Sequence, residues 1–436
     1  MQHGWRLPTP DLIISVTGGG RQCHISAHLR KTFQRGLVAA AATTNAWLIT
    51  SGTNVGVVKE VGEALNNYRY RNRKHGLDVP CIGICTWEYT AGNEQLESMR
   101  IESQLSNDSS MNRSTISPKI NLEQKYVRSY VVERSEVKRC DLEPNHTHFL
   151  VFDGESTDND SVLLQRARIE QYSRQLDIQT SIANVLIPIV ILLVEGGSFS
   201  IRTICQALRL NTPLVVVKGS GRAADLVSDL HVFFSQMDTK RNPFLSSSSK
   251  IELDTMYRRS LFLYNSMWKS FLFNRIDRHR GANNAWINEI KDGLCEVLYH
   301  RKHLVVIFEF DSQRHHGNLE DAILEALFNA TKFSDDNTNE QQCRIAELKL
   351  AMAWQKFEYA QKHILTDATI TKWTDNDLSQ ALIDALRRDS LDFVELLMDY
   401  GTSLEKLTIN NLEQLYALSD VCNPQKSLSF LFNYLL

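Results

Sequence analysis

The chain has 436 residues, 43% of them hydrophobic, with 48 Lys and Arg against 51 Asp and Glu for a net charge of −3. That length can bury a large core and predicts two or three domains, and the near balance of charge excludes a broad electrostatic surface for DNA or RNA. Eight scattered cysteines form no CxxC pair, so neither a zinc ribbon nor a disulfide framework is indicated and a reducing compartment fits.

Short β-branched apolar runs alternate with helical stretches as far as about residue 235. Leu12–Val16 is the first strand candidate. It leaves through Thr17, Gly18, Gly19 and Gly20 towards a helix from Ile25 to Ala41. Trp47–Thr50 comes next and leaves through Ser51, Gly52, Thr53, Asn54, Val55 and Gly56 into a helix from Val57 to Arg71. Val79–Cys85 and His148–Phe152 follow, separated by a Ser- and Asn-rich segment, Ser103 to Pro118, that lacks the apolar residues to pack. Cys81 and Cys85 share a face of their strand and read as small core residues. His146, Thr147 and His148, with Asp153 nearby, have no third metal ligand at an established spacing and read as turn and core hydrogen bonding.

A helix from Ser161 to Leu176 leads to Ile187–Val194, the longest apolar stretch. It is far below the roughly 20 residues a membrane span needs and reads as a fully buried strand. Leu214–Lys218 ends in Gly219, Ser220, Gly221 and Arg222 at a helix start. Thr239 to Lys250 is another loop, and beyond Glu252 the pattern is mostly helical, with stretches near Met256–Phe273 and Ala285–His300 and one strand-like run at Leu304–Phe310. Trp268, Phe271, Phe273 and Trp286 recur on these helices as core or subunit contacts, and His315-His316 reads as a solvated loop. Near the end, Asp377 to Leu382 and Arg388 to Gly401 read as an ankyrin-type helix pair with a glycine stop, whose open apolar side needs a neighbour.

Alternation of this kind predicts an α/β fold: a mainly parallel, Rossmann-like sheet with helices on both faces, then a mostly helical region. The division is 1–238, 239–335 and 336–436. Glycine turns at strand exits that precede helices present free N–H groups and a positive dipole end, a setting for phosphate. Three such turns at one sheet edge make a candidate site. Arg222 is its sharpest residue, able to stack on adenine or fork onto phosphate, or else to pair with Asp225 in the same helical turn.

Several blocks together resemble the N-terminal cytosolic region of melastatin-type transient receptor potential (TRPM) channels. They are Ile13 to Gly19, Gly36-Leu37-Val38, Ala46 to Val57, Asn145 to Phe149, Glu195-Gly196-Gly197 and Gly219 to Asp225, in family order. The resemblance implies a part of a longer cation channel, as does a chain that opens almost directly into structure and stops near Phe430-Leu431-Phe432. Its expected place is the cytoplasmic side of the plasma membrane, with no direct membrane insertion. The remaining channel domains and neighbouring subunits of a homotetramer would be its partners. Met1-Gln2-His3-Gly4 lacks a hydrophobic signal core.

The region is also similar to the nucleotide-binding SLOG/LOG superfamily, whose enzymes carry PGGxGTxxE. Here the stretch runs from Glu195 to Thr203, with Phe199 in place of the loop's second glycine and Thr203 in place of the glutamate. A hydroxyl cannot supply that carboxylate's charge to an oxocarbenium-like centre. The resemblance therefore implies a retained pocket without catalysis, no cofactor, and ADP-ribose or a related adenine nucleotide as ligand. The implied ligand-binding residues are Thr17, Gly18, Gly19, Gly20, Ser51, Gly52, Thr53, Asn54, Gly56, Val57, Gly196, Gly197, Gly219, Ser220, Gly221, Arg222 and Asp225. Glu309, after Phe308, is expected to repel a pyrophosphate. A surviving hydrolase and an empty intersubunit tether are the competing readings.

Overall fold

The computed structural model describes residues 5, 7–21, 23–68, 79–96, 139–152, 159–174, 186–239, 284–310, 318–332 and 340–404. The Ser103–Pro118 segment, the helix expected near Met256–Phe273 with its three aromatics, His315-His316, Asp153 and the end of the chain lie outside these residues, as does the side chain of Trp286.

Among the described residues seven strands form one sheet: β1 Ile13–Gly18, β2 Trp47–Thr50, β3 Cys81–Thr86, β4 His148–Phe152, β5 Ile189–Val194, β6 Leu214–Val217 and β7 Val305–Phe308. Their order is β4-β3-β2-β1-β5-β6-β7, and every pairing is parallel. The connecting helices are α1 Ala27–Thr43, α2 Gly56–Tyr68, α3 Asn159–Ser173, α4 Ser198–Arg209, α5 Arg222–Thr239 and α6 Asn284–Arg301. After β7 come α7 Leu319–Lys332, α8 Glu340–Ala353, α9 Asp375–Arg387 and α10 Leu391–Asp399. All seven strand candidates in the sequence are therefore strands of one sheet.

The central strands are apolar on both faces because helices cover both. Leu12, Ile14, Val16, Val190 and Leu192 face α1, α2 and α7 in the largest cluster. Ile191, Leu193, Leu214 and Val216 face α4, α5 and α6, and Ile13, Ile49 and Ile189 meet α3 through Val162 and Ile169. Each such aliphatic side chain contributes about 1.5–3 kcal/mol by leaving water. Side chains of α8, α9 and α10 join the largest cluster, and Arg388 forks onto Asp11 ahead of β1 at 2.7 and 3.3 Å. The expected helix pair is present as α9 and α10. After α10, Gly401 takes φ +112°, and the N–H of Thr402 donates to Leu397 O, which closes the helix as a Schellman turn.

In this order the strand sequence reverses direction between β1 and β5. A doubly wound sheet opens a crevice there, outside the carboxyl ends of the two strands.

Candidate functional site

Gly18 to Gly20 leave β1 at that crevice. Gly19 N–H donates to Val194 O at 3.0 Å, and Gly19 C=O accepts from Val57 N–H at 2.9 Å. The turn thus ties β5 on one side to the start of α2 on the other. It does not itself begin a helix, because α1 starts at Ala27 behind the Ser26 cap. The dipole that meets the turn belongs to α2, whose first residue, Gly56, sits at φ +55° with its Cα hydrogens against Gly19 O and Gly20 O.

On the other flank, Gly196 takes φ +94° and Gly197 caps α4, while Ser200 Oγ reaches back to Gly18 O at 3.1 Å. The exit of β6 closes over both. Glu195 N–H donates to Ser220 Oγ at 2.7 Å, Ser220 Oγ donates to Val217 O at 2.6 Å, and Ala224 N–H donates to Glu195 O at 2.9 Å. Arg222 begins α5 at φ +48° and lays its guanidinium over Gly197, where a Cβ would stand 3.2 Å from Nη2. The turns after β1, β5 and β6 therefore converge. A Cβ built on Gly20 or Gly219 would meet no heavy atom within 4 Å, so the crevice is open at those two glycines.

Other predicted residues are engaged in building the walls. Thr17 is the last but one residue of β1, in register with Leu193. The turn after β2 faces the other way for most of its length. Asn54 N–H donates to Asp141 O at 2.7 Å, Thr53 bridges Leu142, and Gly52 C=O accepts from Glu143 N–H at 2.9 Å, with Ser51 Oγ beside Thr53 Oγ1 at 3.4 Å. Only Gly56 and Val57 of that turn reach Gly19. Asp225 accepts from Gly219 N–H at 2.7 Å, the local role that the sequence had offered to a pairing with Arg222. Gly221, at φ +104°, lies beside the Glu195 side chain.

Glu309 does not stand as an unopposed anion. Lys218, directly after β6 on the neighbouring strand, pairs with it at 2.9 Å, both groups in solvent. Thr203 lies on α4 with its hydroxyl returned to Phe199 O at 3.0 Å.

Two buried polar networks join residues far apart in the sequence, and the first bears out the reading of His146 as core hydrogen bonding while supplying partners the sequence did not reveal. His146 Nε2 meets Thr50 Oγ1 at 2.7 Å and Nδ1 meets Glu143 Oε2 at 2.7 Å, so the imidazole serves hydrogen bonding inside the fold. Thr50 Oγ1 also accepts from Gly52 N–H, which fixes the β2 exit from below. Beneath β1 and β2, Arg166 on α3 binds Glu170 at 3.0 Å, Ser15 Oγ at 2.7 Å and Val16 O at 2.9 Å.

The feature that sequence reasoning missed inside the crevice is the Glu195 side chain. It is 4% exposed, sits against Gly19, and its Oε2 has no hydrogen bond from any N–H or O–H group. Burial, and next the Glu195 charge and a weak hydrogen bond to the Glu195 side chain, push the neighbouring Cys23 thiol up to about 12. Away from the strand exits, a hollow of about 170 Å³ lies between α8 and α9 over Leu348, Met352 and Trp373. Among the described residues no helix is long and apolar enough to cross a membrane.

A family model for SLOG in TRPM matches residues 1–123 and 111–272, and one for a TRPM2-like domain matches residues 363–429. The chain is 29% identical over 407 residues to transient receptor potential cation channel subfamily M member 2 of Rattus norvegicus, covering 93% of the chain and 24% of that protein. It is 31% identical over 424 residues to the member-like 2 protein of Nematostella vectensis, with 96% and 24% covered. To subfamily M member 6 of Mus musculus it is 30% identical over 423 residues, with 95% and 17% covered. The chain thus spans about a quarter or less of the length of these relatives. The α/β strand pattern, the convergent glycine turns and these matches agree: the chain belongs to the TRPM family, with residues 1–272 as its SLOG region.

Proposed function

We propose that this chain is the cytosolic ligand-sensing and assembly module of a TRPM cation channel. It binds ADP-ribose or a related adenine nucleotide without catalysis and passes the binding energy to a distant pore. The observation that carries the reading is the convergence of the β1, β5 and β6 exits around a crevice that stays open at Gly20 and Gly219, with the Arg222 guanidinium on its wall. The N–H groups of Gly19, Gly197 and Gly219 are spent within the protein, so the ingredients of phosphate recognition are the Arg222 guanidinium and the positive end of α5, which Arg222 begins. Coupling then needs only that the ligand favour one arrangement of this module against its neighbours.

Absence of catalysis is supported by Thr203, whose hydroxyl is held by Phe199 O where a hydrolase would carry a carboxylate. The scaffold reading is favoured by one observation, the Glu195 carboxylate seated on Gly19 within the crevice. Calorimetry of the chain with ADP-ribose and AMP separates the two. Saturable heat that weakens tenfold or more in Arg222→Ala supports the sensor. No heat at millimolar ligand leaves only the tether, and released base or ribose phosphate after long incubation identifies a hydrolase.

A further inference from the structure

We propose that Glu195 decides which part of the ligand enters the β1–β5 end of the crevice: its carboxylate takes the vicinal hydroxyls of a ribose, and phosphate is directed to the Gly219–Arg222 side. The inference rests on the nucleotide-binding reading above and deepens it.

The backbone holds Glu195 in place from both sides. Its N–H donates to Ser220 Oγ at 2.7 Å, and its C=O accepts from Ala224 N–H at 2.9 Å. It also takes φ +57°, which a non-glycine residue adopts at a cost and only where its surroundings impose it. The carboxyl group occupies the space that the missing Cβ of Gly19 leaves, and Gly221 lies beside its Cγ. A side chain at Gly19 would fill the space this carboxylate occupies, whereas a Cβ at Gly221 would stand at an ordinary 3.7 Å from Cγ.

Its two oxygens are unequal. Oε1 accepts a long 3.4 Å hydrogen bond from His24 N–H, the Cys23 thiol beside the carboxylate is a weak donor to it, and Oε2 is buried without a hydrogen bond from any N–H or O–H group. A buried carboxylate oxygen without a donor is costly, so the site rewards a ligand group that brings donors. A phosphate brings acceptors and like charge. A ribose diol brings two O–H donors, the pairing by which acidic side chains in nucleotide-binding sheets take sugars. The guanidinium of Arg222 over Gly197 supplies the positive charge further along the crevice, which suits the phosphates.

The test is titration calorimetry of the full 436-residue chain. The probes are ADP-ribose and two analogues, one without the hydroxyls of the adenosine ribose and one without those of the terminal ribose. In the unaltered protein one analogue binds about 10- to 100-fold more weakly than ADP-ribose, since hydrogen bonds to a charged group carry that much. In Glu195→Ala, and in the isosteric Glu195→Gln if Ala unfolds the chain, the difference between that analogue and ADP-ribose shrinks to less than about threefold. ADP-ribose binding that is indifferent to both sets of hydroxyls overturns the assignment while leaving nucleotide binding intact. So does tighter binding of inorganic phosphate in Glu195→Gln with the hydroxyl dependence unchanged, which marks the carboxylate as a plug. No heat from any nucleotide in the unaltered protein removes the parent reading as well.

Discussion

The backbone N–H of Val57 donates to the carbonyl of Gly19 at 2.9 Å, so the first turn of α2 hangs on the exit of β1. Gly56 makes this approach possible, since its positive φ and missing Cβ let α2 start against Gly19 O and Gly20 O. Gly56→Ala forces an alanine to φ +55° and into those carbonyls, and is expected to destabilise the chain by about 2–5 kcal/mol. Gly20→Ala, which meets open space, is expected to stay within about 1 kcal/mol of the parent protein. Urea denaturation of the two variants side by side checks the contrast, and equal losses would contradict it.

His146 is the shared partner of Thr50 and Glu143 inside the fold. His146→Ala leaves both polar groups short of a bond and should cost about 2–4 kcal/mol. His148, two residues on, bonds only Thr147 among the side-chain hydrogen bonds described, and its ring lies 4.6 Å from that of Trp5 at a tilt of 37°. His148→Ala should cost within about 1 kcal/mol. Thermal melts of both variants decide, and a larger loss at His148 would refute the assignment of His146 as the structural imidazole.

Arg166 and Glu170 form a buried pair under β1 and β2. Arg166→Ala strands the Glu170 carboxylate away from water, at a cost of about 3–5 kcal/mol. Replacing both, Arg166→Met with Glu170→Leu, is expected to cost less than the single change, because no charge is then left unpaired. A double-mutant cycle by denaturant titration measures this. Strict additivity of the two single losses would contradict the pairing.

Cys23 faces the crevice beside Glu195, and burial, with the Glu195 charge, pushes its thiol from an ordinary 9.0 up to about 12. The sign is that of a thiol held protonated. At pH 8 its thiolate is on the order of a thousandfold scarcer than that of an ordinary thiol, and only the thiolate is alkylated. Native-state iodoacetamide labelling with peptide mass spectrometry should leave Cys23 unmodified while the urea-unfolded chain is labelled there. Fast native labelling would show that the group is not held as described.

The strands were legible because a parallel sheet covered on both faces demands continuous β-branched runs. Ile187–Val194 or Leu214–Lys218 could be little else. The glycine turns were legible for the same local reason. What escaped were relations between distant residues. His146 lies 96 positions from Thr50, and Arg166 lies 151 from Ser15, so neither network has a signature within a reading window. The pairing of Lys218 with Glu309 depends on β6 lying next to β7, and without that neighbour Glu309 reads as a bare anion. Glu195 gave one local hint, an acidic residue directly at a strand exit before two glycines. Its approach to Gly19 needed the β1–β5 register to become visible.

The central claim is that the exits of β1, β5 and β6 form one ligand crevice, and a structure of the chain at saturating ADP-ribose tests it most directly. The account predicts ligand density spanning Gly19–Gly20 and Gly219–Arg222, with a sugar ring against Glu195. Density confined to the hollow between α8 and α9, or an unliganded crevice at saturation, would contradict it.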